Sequence, residues 1–272
     1  MKKKKISKRN LISLILIILF SITLLFSLYK IIKWNIDNNN TKKIMSKIDN
    51  NITKEVNDSD KTEIINNNEE LSKSDPYWDY IKMNMIDVKF DDLKKINKDV
   101  VGWIKVNGTN INYPFVQTSN NDYYLNHSFD KSSNGGGWVF LDYRNNKTDN
   151  KNTIIYGHGR QNKTIFGTLK NILNNGWLEN KDNYIIKIST EKENTLWQIF
   201  SVYRIPTTSD YLQTEFISNE EYDIFLNKLL KRSQYNFKTA INKEDKILTL
   251  STCYNNDDKV VVHAKLIKRE SK

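Results

Sequence analysis

The sequence predicts a mostly β (α+β) domain, a mixed and mainly antiparallel barrel or sandwich carrying a few helices, set behind one amino-terminal transmembrane helix. Three observations predict it. Residues 11–29, LISLILIILFSITLLFSLY, are 19 consecutive apolar or hydroxyl positions, close to the ~20 needed to cross a bilayer as a helix. From residue 100 onward, short alternating runs recur between clusters of Asn, Asp, Gly and Lys, which is the strand period. Two stretches break that rhythm with helical spacing, 163–173 and 219–232.

At the amino end, Lys2, Lys3, Lys4, Lys5, Lys8 and Arg9 crowd the upstream flank of the apolar run. Positive charge on that side places the amino terminus in the cytoplasm and the remainder of the chain outside the cell. The apolar run exceeds the usual length of a signal-peptide core, and no small-x-small site follows Tyr29, so an uncleaved anchor is expected. The organisation is then a cytoplasmic tail at 1–10, a signal-anchor helix at 11–32, a polar tether at 33–75 and an extracytoplasmic domain at 76–272. The tether is dominated by Asn, Lys, Asp, Glu and Ser, too polar to form a packed core.

In the domain, Ile81, Met85, Phe90, Leu93 and Ile96 fit a helix with one break. VVGWIKV, the turn signal Asn107-Gly108 and INYPFVQ read as a hairpin. GGGWVFLDY, NTIIYGH, YIIKIS and LWQIFSVYRI supply further strands, and Ser218 caps a helix whose first turn is acidic. The chain closes on KILTLSTC and KVVVHAKLIK.

Charge narrows the function. The net charge is +10, but eight of the 42 basic residues lie in 1–33, leaving 34 against 32 acids beyond it, a balance of +2. A near-neutral body argues against nucleic-acid binding. One cysteine allows no internal disulfide, and three histidines with one cysteine make no zinc cluster. Neither a metal nor a cofactor is expected.

That cysteine ends a strand. In TLSTC, Leu248, Leu250 and Thr252 share one face, and Ile247, Thr249, Ser251 and Cys253 share the other. With the leucines in the core, Cys253 faces away from them. A lone cysteine is commonly a small buried hydrophobe, but a thiol beside a base or cation is a nucleophile. His158 also closes a strand pattern, before Gly159, whereas His127 lies in a loop and His263 lies on the last strand with the facing of Lys259.

TLSTC followed by a short loop, a cation and VVVHAKL resembles the sortases, and YGH with an upstream DYRN resembles class B among them. DDLKKINKDVVGWIKVNGTNINYPFVQ and NDYYL extend the likeness over roughly 91–266. The resemblance implies an eight-stranded sortase-type β-barrel and a cysteine transpeptidase of Gram-positive cell surfaces. It implies Cys253 as the nucleophile that forms a thioacyl intermediate and His158 as general acid, then base. Where class B sortases carry an arginine before the final strand, this sequence reads Lys259. Lysine keeps the charge and loses the two-pronged donor, so Arg144 and Arg160 are also candidates for that role. By position, Ser251, Asn121, Leu125, Tyr211 and Leu212 are expected to line the groove for the substrate's sorting signal. The implied partners are surface proteins bearing a carboxy-terminal sorting signal, an amine of the cell wall or of a pilin lysine as acceptor, and the membrane. Two other readings compete: a weakly active surface module that binds sorting signals, which Lys259 keeps open, and a plain thiol protease, which would ignore amine acceptors.

Overall fold

A computed structural model describes residues 8–48, 52–66, 71–145, 150–254 and 257–272. Residues 2–5 of the basic tail, parts of the tether and the centre of the turn after Cys253 lie outside the described residues. Helix α1 (Lys8–Lys47) is followed by strands β1 (Thr53–Val56) and β2 (Thr62–Ile64), short helix α2 (Tyr77–Tyr80), β3 (Met85–Val88) and α3 (Asp91–Ile96). Then come β4 (Val100–Val106), β5 (Asn112–Val116), β6 (Phe140–Leu141), β7 (Asn152–Tyr156), helix α4 (Asn175–Leu178), β8 (Ile185–Ser189) and β9 (Glu193–Pro206). Helix α5 (Asn219–Arg232), β10 (Ile247–Cys253) and β11 (Asp258–Ser271) complete the chain.

Eight strands close into a barrel in the order β10-β7-β6-β5-β4-β8-β9-β11, with β11 returning to pair β10. Closure leaves no open edge among them. Two neighbouring pairs are parallel, β10 with β7 and β5 with β6; the other pairs are antiparallel. β2 adds to the far end of β11, and β1 pairs β3 outside the barrel. At the β4–β5 hairpin, Gly108 has φ +67°, where a side chain would be strained.

Alternation in β10 sorts two cores. Leu248 and Leu250 point into the barrel with Ile104, Ile155 and Val262. The opposite face is also covered, because Ile247 packs with Phe200, Tyr203 and Tyr211 against α5. That helix buries Tyr222, Phe225, Leu226 and Leu229, a stripe at helical spacing, and Ser218 Oγ accepts the Glu221 N–H at 3.2 Å.

The structure departs from the sequence reading in three places. The stretch 76–97 holds a strand between two short helices, since Met85–Val88 pairs with Thr53–Val56. The expected helix at 163–173 is a loop with Lys163 and Ile165 at positive φ, ending in a 3-10 turn at Leu169–Leu173. Part of the expected tether packs on the domain: α1 runs on past the apolar stretch, and Asp37, Asn38, Thr41 and Ile44 form a buried face. Their spacing of one, three and three places them on one side of the helix.

Candidate active site

The parallel pairing of β7 with β10 builds the site. Ser251 lies opposite Tyr156, and beyond that rung the Thr252 hydroxyl donates to the Gly157 carbonyl at 2.7 Å. Both strands therefore end at the same rim, His158 two residues past Tyr156 and Cys253 two past Ser251. Gly159 lets them approach, because a Cβ there would sit 2.0 Å from the Cys253 carbonyl oxygen.

On the other flank, Cys253 and Lys259 are cross-strand partners in the β10–β11 ladder. Directly opposed residues project to the same face of a sheet, and Lys259 Nζ lies 3.0 Å from Cys253 Sγ. The intervening turn is braced from β9. Arg204 Nε donates to Asp258 Oδ2 at 2.7 Å and its guanidinium lies 4.0 Å above the Tyr254 ring, while the Thr207 N–H donates to the Asp257 carbonyl at 2.8 Å.

His158 Nε2 is 2.9 Å from the Leu125 carbonyl. A carbonyl only accepts, so this nitrogen carries the proton, and in the neutral ring Nδ1 holds the lone pair. Gly137, at φ +56°, passes under the ring; a Cβ there would meet His158 Cδ2 at 2.9 Å and the Tyr124 carbonyl at 2.5 Å.

Cys253, His158 and Lys259 stand in the wall of a cleft of about 600 Å³. Ser251, Asn121, Leu125, Tyr211 and Leu212 line the same cleft, so the structure brings these eight residues together, though not Arg144 or Arg160. Tyr211 is nonetheless buried, and its hydroxyl is 2.9 Å from Ser251 Oγ. Burial pushes its phenol up, and the Ser251 hydrogen bond partly opposes this.

The two arginines are committed elsewhere. Arg144 forks onto buried Asp142, Nε to Oδ1 at 2.9 Å and Nη2 to Oδ2 at 2.7 Å. Asp142 Oδ2 also accepts from the Tyr156 hydroxyl at 2.8 Å and from Asn121 Nδ2 at 3.1 Å. Burial works to raise that carboxyl, but the hydrogen bonds from Arg144 and Tyr156 outweigh it and hold the group below the usual carboxylate range. Arg160 is 9% exposed and is held by Thr41 and Asn38 of α1. Of the three cations considered from sequence, Lys259 is the one set against the sulfur.

Sequence reasoning missed the support beneath these residues. Thr249 donates its hydroxyl hydrogen to Asn152 Oδ1 at 2.7 Å, so the same oxygen accepts from His263 Nδ1–H at 2.9 Å. His263 Nε2 is then an acceptor, and the Tyr203 hydroxyl donates to it at 2.8 Å. The network needs neutral imidazole, and burial, followed by the charges of Arg232 and Lys228, holds His263 down at about 3. It fastens β7, β10, β11 and β9 behind Ser251. The hydroxyl and imidazole on the same face as Cys253 were the available signal; their partners lie on other strands.

The described residues contain no group of three or more His, Cys, Asp or Glu side chains arranged to hold a metal. The cleft therefore offers a thiol, an imidazole, an ammonium and hydroxyls, which suits acyl transfer through sulfur.

Known proteins resemble this chain in sequence and fold. A family model described as Sortase domain matches residues 104–267. Sortase B of Staphylococcus aureus is 38% identical over 185 residues, 66% of this chain and 75% of that protein. The structure of sortase B from B. anthracis in complex with AAEK2 superimposes with a TM-score of 0.61 at 40% identity, covering 66% of this chain and 83% of the other. The Staphylococcus aureus sortase B-substrate complex gives a TM-score of 0.61 at 38% identity, over 66% of this chain and 84% of that one. With the eight-stranded barrel and the cleft at its rim, these likenesses make the chain a member of the sortase family, of class B.

Proposed function

We propose that this sortase transpeptidase is anchored in the membrane by residues 11–32 and cuts a carboxy-terminal sorting signal of surface proteins after threonine. Cys253 is the nucleophile. It reacts as the thiolate, its proton held by His158: the sulfur attacks the threonyl carbonyl carbon, the C–S bond forms as the C–N bond breaks, and His158 gives that proton to the departing amine. An acceptor amine then attacks the thioester, the C–N bond forms, the C–S electron pair returns to sulfur, and His158 takes the proton released by nitrogen. The acceptor is an amine of the peptidoglycan precursor or cross-bridge, or a pilin lysine. Lys259 offsets negative charge on sulfur and on the developing oxyanion. Ser251, Asn121, Leu125, Tyr211 and Leu212 hold the signal in the cleft.

The observation that carries this reading is the 3.0 Å approach of Lys259 Nζ to Cys253 Sγ at the mouth of the cleft that His158 also lines. Support for the anchor comes from α1, which is long and apolar enough to cross a membrane. Upstream basic residues favour a cytoplasmic amino terminus and an extracellular domain.

The test is cleavage of a fluorogenic peptide of the Asn-Pro-x-Thr or Ser-Pro-x-Thr-Gly kind by the full chain, with and without triglycine. Cleavage is expected to vanish in Cys253→Ala, and triglycine is expected to divert product from hydrolysed acid to ligated peptide. Cleavage that survives the substitution, or product that ignores the amine, overturns the proposal.

A further inference from the structure

A second cleft, of about 620 Å³, opens on the other side of the thiol. Its lining shares two residues with the first cleft, His158 and Cys253. One wall is the catalytic domain, with Gly135, Gly136, Gly159 and Gln161; the opposite wall is α1, with Lys30, Lys33, Trp34 and Asp37. A transpeptidase must bring two substrates to one sulfur from different sides, since the acceptor attacks a carbonyl whose acyl chain still fills the first groove. The dyad stands where the two clefts meet.

The α1 wall is fixed in place by hydrogen bonds. Asp37 Oδ2 accepts the Gly135 N–H at 3.0 Å, and Asn134 Nδ2 donates to the Asp37 carbonyl and to Thr41 Oγ1, both at 3.2 Å. Arg160, two residues past His158, donates from Nη1 to Thr41 Oγ1 at 2.9 Å and from Nη2 to Asn38 Oδ1, and Asn162 Nδ2 donates to the same oxygen at 2.7 Å. Arg160 and Asn162 follow His158 by two and four residues, so the helix register and the position of His158 are set together.

We propose that the second cleft receives the acceptor, and that the juxtamembrane part of α1 is its specificity wall. The inference rests on the transpeptidase reading above. The chemistry of the wall describes the ligand. Lys30, in the last turn of the membrane segment, and Lys33, just past it, supply two positive charges at the membrane-side end, and the Asp37 carboxylate lies on the same wall, an order suited to a peptide with a primary ammonium and a carboxylate. Trp34 is 49% exposed and offers an aromatic face to it. The eight-residue step from Tyr29 to Asp37 rises ~12 Å along the helix, so an acceptor reaching the dyad passes close above the end of the apolar segment.

The test uses the full chain in phosphatidylcholine vesicles, a fluorogenic sorting peptide as donor, and triglycine or triglycine amide as acceptor. The wild type is expected to show a lower acceptor KM for triglycine than for the amide by about fivefold, the scale of one or two half-exposed ion pairs. In the Lys30→Ala/Lys33→Ala variant that preference is expected to vanish. In Trp34→Ala the KM for both acceptors rises about tenfold, as for loss of one aromatic contact. Each loss falls on the acceptor KM and leaves the donor-peptide KM behind. Variants with wild-type acceptor KM, or with donor and acceptor KM altered alike, overturn the inference while leaving the transpeptidase intact. A wild-type chain that forms no thioacyl enzyme removes the underlying reading instead.

Discussion

Replacing Lys259 tests whether a lysine can fill the position at which class B sortases carry arginine. Its ammonium is 3.0 Å from the sulfur and both residues are half-buried. At that separation opposite unit charges attract by about 1.4 kcal/mol under bulk-water screening and by about 5.5 kcal/mol at an effective dielectric of about 20. A half-buried pair lies between these limits, near 3 kcal/mol, which corresponds to about a hundredfold in rate. Loss of a single oxyanion donor has the same scale. Lys259→Met keeps most of the side-chain length and removes the charge, so the thioacyl burst measured in single turnover is expected to slow about a hundredfold. Lys259→Arg retains a cation on the same rung and gains a fork, so its rate is expected to stay within about tenfold of the wild type or to exceed it. The arginine variant also separates charge from shape. If Lys259→Met retains more than about a third of the wild-type burst rate, the ammonium contributes nothing to the reaction and its assigned role is wrong.

Gly159→Ala places a methyl group 2.0 Å from the Cys253 carbonyl oxygen; the two strand ends must part, and displacement of this order is expected to cost about a hundredfold in kcat/KM, with the circular dichroism of the barrel retained. A wild-type rate would mean that the strand ends tolerate separation. Removing Arg204 with alanine unfastens Asp258 and Tyr254 and is expected to lower kcat about tenfold, the scale of a misplaced catalytic group, without shifting the melting temperature by more than a few degrees; an unchanged kcat would show that the turn holds Lys259 unaided. His263 titrates near 3 in the fold against an ordinary value of 6.5. The unfolded chain thus binds the extra proton between those values, and stability is complete above about 6.5 and falls as pH drops towards 3. Between pH 6.5 and 4.5 this amounts to about 2.7 kcal/mol at most. Denaturant midpoints at the two pH values are expected to differ less in His263→Gln than in the wild type, and an equal difference would refute the neutral network.

Local alternation carried much of this fold in the sequence. TLSTC declares its two faces without any partner in view, and the stripe of Tyr222, Phe225, Leu226 and Leu229 behind Ser218 declares α5. What stayed hidden depends on partners far along the chain. Asp37, Asn38 and Thr41 read as a solvated polar stretch because hydropathy scores them one at a time, while the groups that bury them, Asn134 and Arg160, lie about a hundred residues away. Met85–Val88 falls within a helical pattern when read alone, and becomes a strand because Thr53–Val56 offers it a ladder. The same distinction governs the site. In sequence Lys259 is the sixth residue after Cys253, beyond a polar turn; in the β10–β11 ladder it is the residue directly opposite. A turn lengthened or shortened by one residue would turn that ammonium to the other face of the sheet, away from the thiol. The turn length, braced by Arg204, therefore matters as much to the chemistry as the choice between lysine and arginine.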